Sequence, residues 1–124
     1  MIMVEYWKLV VLKRYAKFDG RAGRAEFWWF YLANLLAYVA LMVLVAIANF
    51  FFILYIGYAL AVLIPSLAVG FRRLHDTNRS GWWVLISLIP IVGAIILIVF
   101  LASEGDADAN QFGAPDPGLP VAAA

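Results

Sequence analysis

The stretch Arg72-Arg73-Leu74-His75-Asp76-Thr77-Asn78-Arg79-Ser80-Gly81-Trp82-Trp83 decides the fold. It gathers three arginines, the only histidine and one aspartate into eight positions, 72–79. To its left, 45 residues from Phe27 to Phe71 contain no Asp, Glu, Lys, Arg or His. To its right, 24 residues from Ser80 to Ser103 carry no charge. A charged side chain costs roughly 2.5–3.5 kcal/mol at the centre of a bilayer span. The string therefore marks where the chain leaves hydrocarbon, and the neutral segments beside it are the parts immersed.

Composition agrees. Of 124 residues, 66% are hydrophobic and 14% charged, against about 45–50% and about 25% in soluble domains. One domain of this size could not hide so much apolar surface from water. The absence of cysteine excludes disulfides, thiolate metal sites and cysteine nucleophiles. A single histidine leaves little material for a metal site.

The 45-residue neutral segment would be ~67 Å long as one helix, twice the ~30 Å of hydrocarbon. It therefore reads as two spans, 27–47 and 52–71, turning near Ala48-Asn49-Phe50. A third span is expected over 82–102, opened by Trp82 and Trp83 and interrupted by Pro90 and Gly93. Pro65 removes one hydrogen bond from the second span, and Ser66 or a neighbour is expected to compensate. Gly57 with Ala61, and Ser66 with Gly70, have the spacing of close helix contacts. Ala46-Ile47-Ala48 resembles a signal-peptidase site, but the apolar stretch before it is too long, and a retained anchor is expected.

Residues 1–26 are basic and aromatic, and are read as a cytoplasmic or interfacial amphipathic helix followed by a break at Gly20 and Gly23. Asp19 is the expected cap of the first span. Residues 104–124 are rich in Gly, Pro, Asp and Asn and read as an irregular acidic tail with a frayed alanine-rich end. The fold class is thus an all-α membrane protein with three transmembrane helices and an N-terminal interfacial helix. All nine Lys and Arg fall within 8–24 or 72–79, giving that side +5 with its four acidic residues, whereas the tail carries −4. The positive-inside rule then predicts a cytoplasmic N-terminus and a C-terminus outside.

Four strings occur in a distinctive order: Phe18-Asp-Gly-Arg-Ala-Gly-Arg-Ala-Glu-Phe-Trp-Trp-Phe30, Arg72 to Trp83, Ile89-Pro-Ile-Val-Gly93 and Asn110-Gln-Phe-Gly-Ala-Pro-Asp-Pro117. Together they resemble the family known as domain of unknown function 805, small YhaH-like inner-membrane proteins of bacteria. The resemblance covers about residues 6–117 and departs slightly at Gly23 and Asn78, where a polar or basic residue and a glycine are expected. It implies a polytopic helical protein of the bacterial cytoplasmic membrane and brings no established activity.

The polar residues support several classes of function. His75 beside Asp76 invites a membrane enzyme with a carboxylate-oriented base, but adjacent helical residues do not face each other. No catalytic residue, metal-ligand set or cofactor is expected. A channel or transporter subunit would need an oligomer or a larger partner, since three spans enclose little and carry no ionisable residue. Nucleic-acid recognition has no module behind it. The reading adopted is a non-enzymatic scaffold or binding protein whose partner is the bilayer. Arg21, Arg24, Arg72, Arg73 and Arg79 are its candidate sites for anionic lipid headgroups. Glu26, His75 and Asp76 form its structural polar cluster, and Trp28, Trp29, Trp82 and Trp83 are interface anchors.

Overall fold

The computed structural model describes residues 2–116, and each of its regular elements is helical. The chain opens with α1 (Ile2–Lys8), which widens into a π-helical segment, Leu9–Lys13. Tyr6, Leu9 and Val10 turn inward, whereas Glu5 and Lys8, 3.8 Å apart, lie half-exposed on the other face. The segment is amphipathic, and its apolar face is laid against two long helices, α2 (Arg24–Ile47) and α3 (Phe52–Asp76). The Trp7 indole N–H donates to the Tyr58 hydroxyl at 3.0 Å.

Helices α2 and α3 form the first hairpin. Each exceeds 20 residues, the length that crosses a bilayer. The chain turns between them through Ala48 and the short 3-10 segment Asn49–Phe51. The N-cap of α2 is Gly23 in extended conformation, and Asp19 takes no part in capping. Exposure runs opposite to that of a soluble protein. Phe50 is 70% exposed and Ile53 71%, while Arg72 and Arg73 are at 0%. Lipid is the solvent this surface suits.

Pro65 lies inside α3 and leaves the Ala61 carbonyl without its helical donor. The Tyr15 hydroxyl supplies one at 2.8 Å. The compensation therefore comes from the N-terminal segment and not from Ser66 or a sequence neighbour. At its other end α3 stops in a Schellman motif: Asn78 N–H donates to the His75 carbonyl and Arg79 N–H to that of Leu74. Asn78 holds φ = 61° there, and asparagine tolerates this left-handed conformation better than most residues.

Over 82–102 the backbone is not one continuous helix. Among the described residues two helices, not three, have the length and hydropathy of a span. The third neutral segment is a 3-10 helix, Gly81–Leu88, a turn, and α4 (Val92–Ala102). Eight residues at ~2.0 Å and eleven at ~1.5 Å give two arms of about 16 Å each, half a hydrocarbon core. At the tip Ile91 adopts φ = 64°, ψ = −66°, and Val92 N–H donates to the Pro90 carbonyl at 2.7 Å, closing a γ-turn. Ile89 N–H and Gly93 N–H find the carbonyls of Ile86 and Ile89. Backbone at membrane depth needs such internal partners. Gly93 is required for the closure, because a Cβ there would lie 1.8 Å from the Ile86 carbonyl oxygen.

Both ends of this second hairpin stand beside the end of α3. Trp82 meets Phe71 edge to face with centroids 5.4 Å apart, and the Leu101 carbonyl accepts from Arg73 Nε at 2.8 Å. The tail consequently contacts residues that the charge argument had put across the membrane from it: Asp106 N–H donates to the Asp76 carbonyl at 2.8 Å. Acidic residues such as those of the tail contribute little to membrane orientation, which follows Lys and Arg. Residues 117–124, including the alanine-rich end expected to fray, lie outside the described residues.

Candidate functional site: a buried arginine knot

Just above the small apolar core of Val10, Ala22, Phe27, Phe30, Val69, Leu74 and Leu101, four arginines converge. Arg21, Arg72 and Arg73 are 2%, 0% and 0% exposed. Arg14 joins them from the N-terminal segment. Two carboxylates hold the group together. Glu26 receives Arg14 at 2.9 Å and Arg72 at 2.5 Å, one on each oxygen. Asp76 receives Arg21 at 2.9 Å and Arg73 at 2.8 Å in the same way. Asp116 adds a second contact to Arg14 at 2.9 Å.

The remaining donors go to backbone carbonyls from distant parts of the chain. Arg72 Nε donates to Lys17, Arg73 Nε to Leu101, and Arg73 Nη1 to Ala22 as well as to Asp76. Arg73 Nη2 donates to the Ser103 carbonyl. Arg21 binds the tail, with Nη1 on the Asp108 and Gly113 carbonyls and Nη2 on that of Asp106. Carbonyls provide negative potential without further charge, so few carboxylates suffice to balance four guanidinium groups. Arg72 Nη2 is left without a partner among the described residues.

The tail is shaped to reach the knot. Gly105 approaches so closely that a Cβ would lie 1.9 Å from Asp76 Oδ2. Asn110 accepts from Phe112 N–H through its own Oδ1 and donates from Nδ2 to the His75 carbonyl and to Asp106. Gly113, at φ = 111°, completes the reversal that Asn110 begins. The Phe112 ring then stacks on His75, centroids 3.9 Å apart and planes 5° from parallel.

The sequence candidates therefore separate. Arg21, Arg72, Arg73, Glu26 and Asp76 meet in one buried network. Arg24 is exposed, and Arg79 is half-exposed with its guanidinium 4.1 Å over the Phe100 ring. His75 and Asp76 form no dyad: Nδ1 of His75 faces the Gly20 carbonyl at 2.8 Å, and both oxygens of Asp76 are held by arginine. The tryptophans border the knot. Trp28 packs edge-on to Phe27 and Trp83 to Phe100, while Trp29, Trp82 and Trp83 are exposed.

Sequence reasoning missed Arg14, Gly105, Asn110, Phe112 and Asp116. The string 110–117 was distinctive but looked like an irregular tail, and nothing local connected it to arginines 31 or more residues away. No group of three or more metal-ligating side chains occurs among the described residues.

Three comparisons bear on this geometry. Two curated relatives are the inner membrane proteins YhaH and YhaI of Escherichia coli K12. YhaH is 46% identical over 118 residues, covering 91% of this chain and 97% of its own. YhaI is 42% identical over 108 residues, covering 86% and 92%. No solved structure matches. The family model described as "Protein of unknown function (DUF805)" matches residues 15–114, a range that begins beside Arg14 and ends just after the Gly113 carbonyl. The chain thus belongs to the DUF805 family of helical membrane proteins.

Proposed function

We propose that the protein is a non-enzymatic membrane scaffold whose arginine knot fastens a membrane-surface cap onto a helical hairpin. The cap consists of the N-terminal segment and the tail. The reading rests on one observation: three fully buried arginines donate to carboxylates and carbonyls drawn from residues 17–26, 76 and 101–113. An ion-paired core of this kind ties segments together. Two crossings then put every charged segment on one side, the cytoplasmic side by the positive-inside rule. The neutral turn Ala48–Phe51 is the part translocated.

The bases outside the knot engage anionic headgroups. Lys13 and Arg24 are exposed, and each basic residue near an anionic surface contributes about 1 kcal/mol. The test is native mass spectrometry of protein released from mixed anionic and zwitterionic lipid. Replacing Lys13 and Arg24 together by Gln is expected to reduce retention of the anionic lipid, whereas Glu104→Gln leaves it unchanged. Equal retention by parent and double variant would remove the lipid arm of the reading.

A further inference from the structure

The small residues Ser66 and Gly70 have the spacing of a helix-packing pair. Gly70 is buried, but a Cβ built on it would meet no atom within 4 Å. It borders a void. A cavity of about 250 Å³ opens there between α2, α3 and the second hairpin. Phe27, Phe30, Val84 and Leu97 are part of its wall, and Tyr31, Asn34 and Ser66 are the side chains with polar groups along it. Asn34 lies eight residues along α2 from Glu26, and Ser66 seven along α3 from Arg73. At ~1.5 Å per residue they stand ~12 Å and ~10 Å beyond the knot.

The hydrogen-bond network fixes what these groups offer. Trp7 Nε1 donates to the Tyr58 oxygen, so the Tyr58 hydroxyl proton goes to Asn34 Oδ1 at 2.6 Å. The amide of Asn34 is thereby oriented, and its Nδ2 donors remain free among the described residues. The Ser66 hydroxyl is free too among the described residues. Two donors without partners at membrane depth are costly unless something accepts from them. An apolar cavity of about 150 Å³ takes a benzene ring, and this one is larger.

We propose that this cavity binds a neutral, ring-sized apolar molecule through a carbonyl oxygen received by Asn34 Nδ2 and the Ser66 hydroxyl. The phenylalanine walls suit a flat ring, and the absence of charge inside excludes an ionised ligand. A quinone-type ring is the chemical class that combines these features.

Menadione and naphthalene, bicyclic rings with and without carbonyl groups, are the probes. The chain has no cysteine to form thiol adducts with menadione. In neutral detergent, menadione is expected to raise the melting temperature of the intact protein saturably, and naphthalene to do so far less. Asn34→Leu should weaken menadione about tenfold, the loss of one hydrogen bond. Gly70→Leu, which fills the void, should abolish the effect of both probes. Equal responses to the two probes on the unmodified protein would overturn the proposal without any variant. So would undiminished menadione binding in Gly70→Leu. A phospholipid that co-purifies, is lost in Gly70→Leu and is not displaced by menadione would identify the occupant as an acyl chain and would also overturn it.

Discussion

The two hairpins are both neutral and apolar, and their backbones differ. Each is a neutral, apolar stretch with a proline in its second half or at its middle, and each has aromatic residues at the entrance. The first is built on helices of 24 and 25 residues, long enough to cross, while the second turns back after arms of 8 and 11. Hydropathy cannot tell them apart, because it measures which solvent a segment prefers and not how far into it the segment goes. The difference lies in local backbone chemistry. Pro65 stays inside a helix because the Tyr15 hydroxyl replaces the donor it lacks. Pro90 is followed by Ile91 at positive φ and by a glycine that lets the chain fold onto the Ile86 carbonyl.

The most decisive way to break the comparison is a topology reporter. If the first hairpin crosses and the second does not, reporters fused at Asn78 and after Ala124 register on the same side, and one inserted at Asn49 registers on the other. Opposite signals from Asn78 and Ala124 would make 82–102 a true span and return the second hairpin to the class of the first.

The knot is what holds the second hairpin in place, through the Leu101 and Ser103 carbonyls on Arg73. Asp76→Ala leaves Arg21 and Arg73 buried without their carboxylate, a loss of about 3–5 kcal/mol for a broken buried pair. His75→Ala removes a ring stack and one carbonyl contact, for which about 1–2 kcal/mol is expected. Melting of the two variants in detergent should separate them clearly. Limited proteolysis should find the tail of Asp76→Ala cleaved while α2 and α3 remain protected. Similar melting of both would mean that the carboxylate does not organise the knot.

How much of this was legible follows from the same contrast. The first hairpin was readable because length, neutrality and the aromatic belt all belong to contiguous sequence. Glu26 and Asp76 stood out as carboxylates beside arginines. Their partners did not, since Arg72 bonds the Lys17 carbonyl and Arg21 the Gly113 carbonyl, and carbonyls leave no mark on a sequence. Gly105 looked like any tail glycine until its proximity to Asp76 gave it a reason. Asn34 was overlooked among 45 neutral residues, although it is the side chain that orders Tyr58.

Glycines at the two sites should respond in opposite ways to one added methyl group. Gly93→Ala drives a Cβ into the Ile86 carbonyl and must open the turn, with an expected loss of about 2–3 kcal/mol. Gly57→Ala, in the first hairpin, meets nothing within 4 Å and gains helix propensity, so a gain of about 0.5–1 kcal/mol is expected. Chemical denaturation in mixed micelles measures both. A neutral Gly93→Ala would mean that the second hairpin turns without the close approach.

The smallest effect concerns the proline that does not turn the chain. Tyr15→Phe removes only the hydroxyl that donates to the Ala61 carbonyl, and a single hydrogen bond contributes about 0.5–1.5 kcal/mol. Pro65→Ala restores a backbone N–H at the position that reaches the same carbonyl. With that N–H present the tyrosine hydroxyl becomes one of two donors to an oxygen with two lone pairs, and its loss leaves nothing unsatisfied. The effect of Tyr15→Phe should therefore fall to a few tenths of a kcal/mol in the Pro65→Ala background, with the methyl-scale packing around residue 65 cancelling in the double-mutant cycle. A cycle with no coupling would mean that the carbonyl finds another donor when Tyr15 is cut back. Helix α3 would then tolerate Pro65 without help from the N-terminal segment, and that segment would be free to leave the first hairpin.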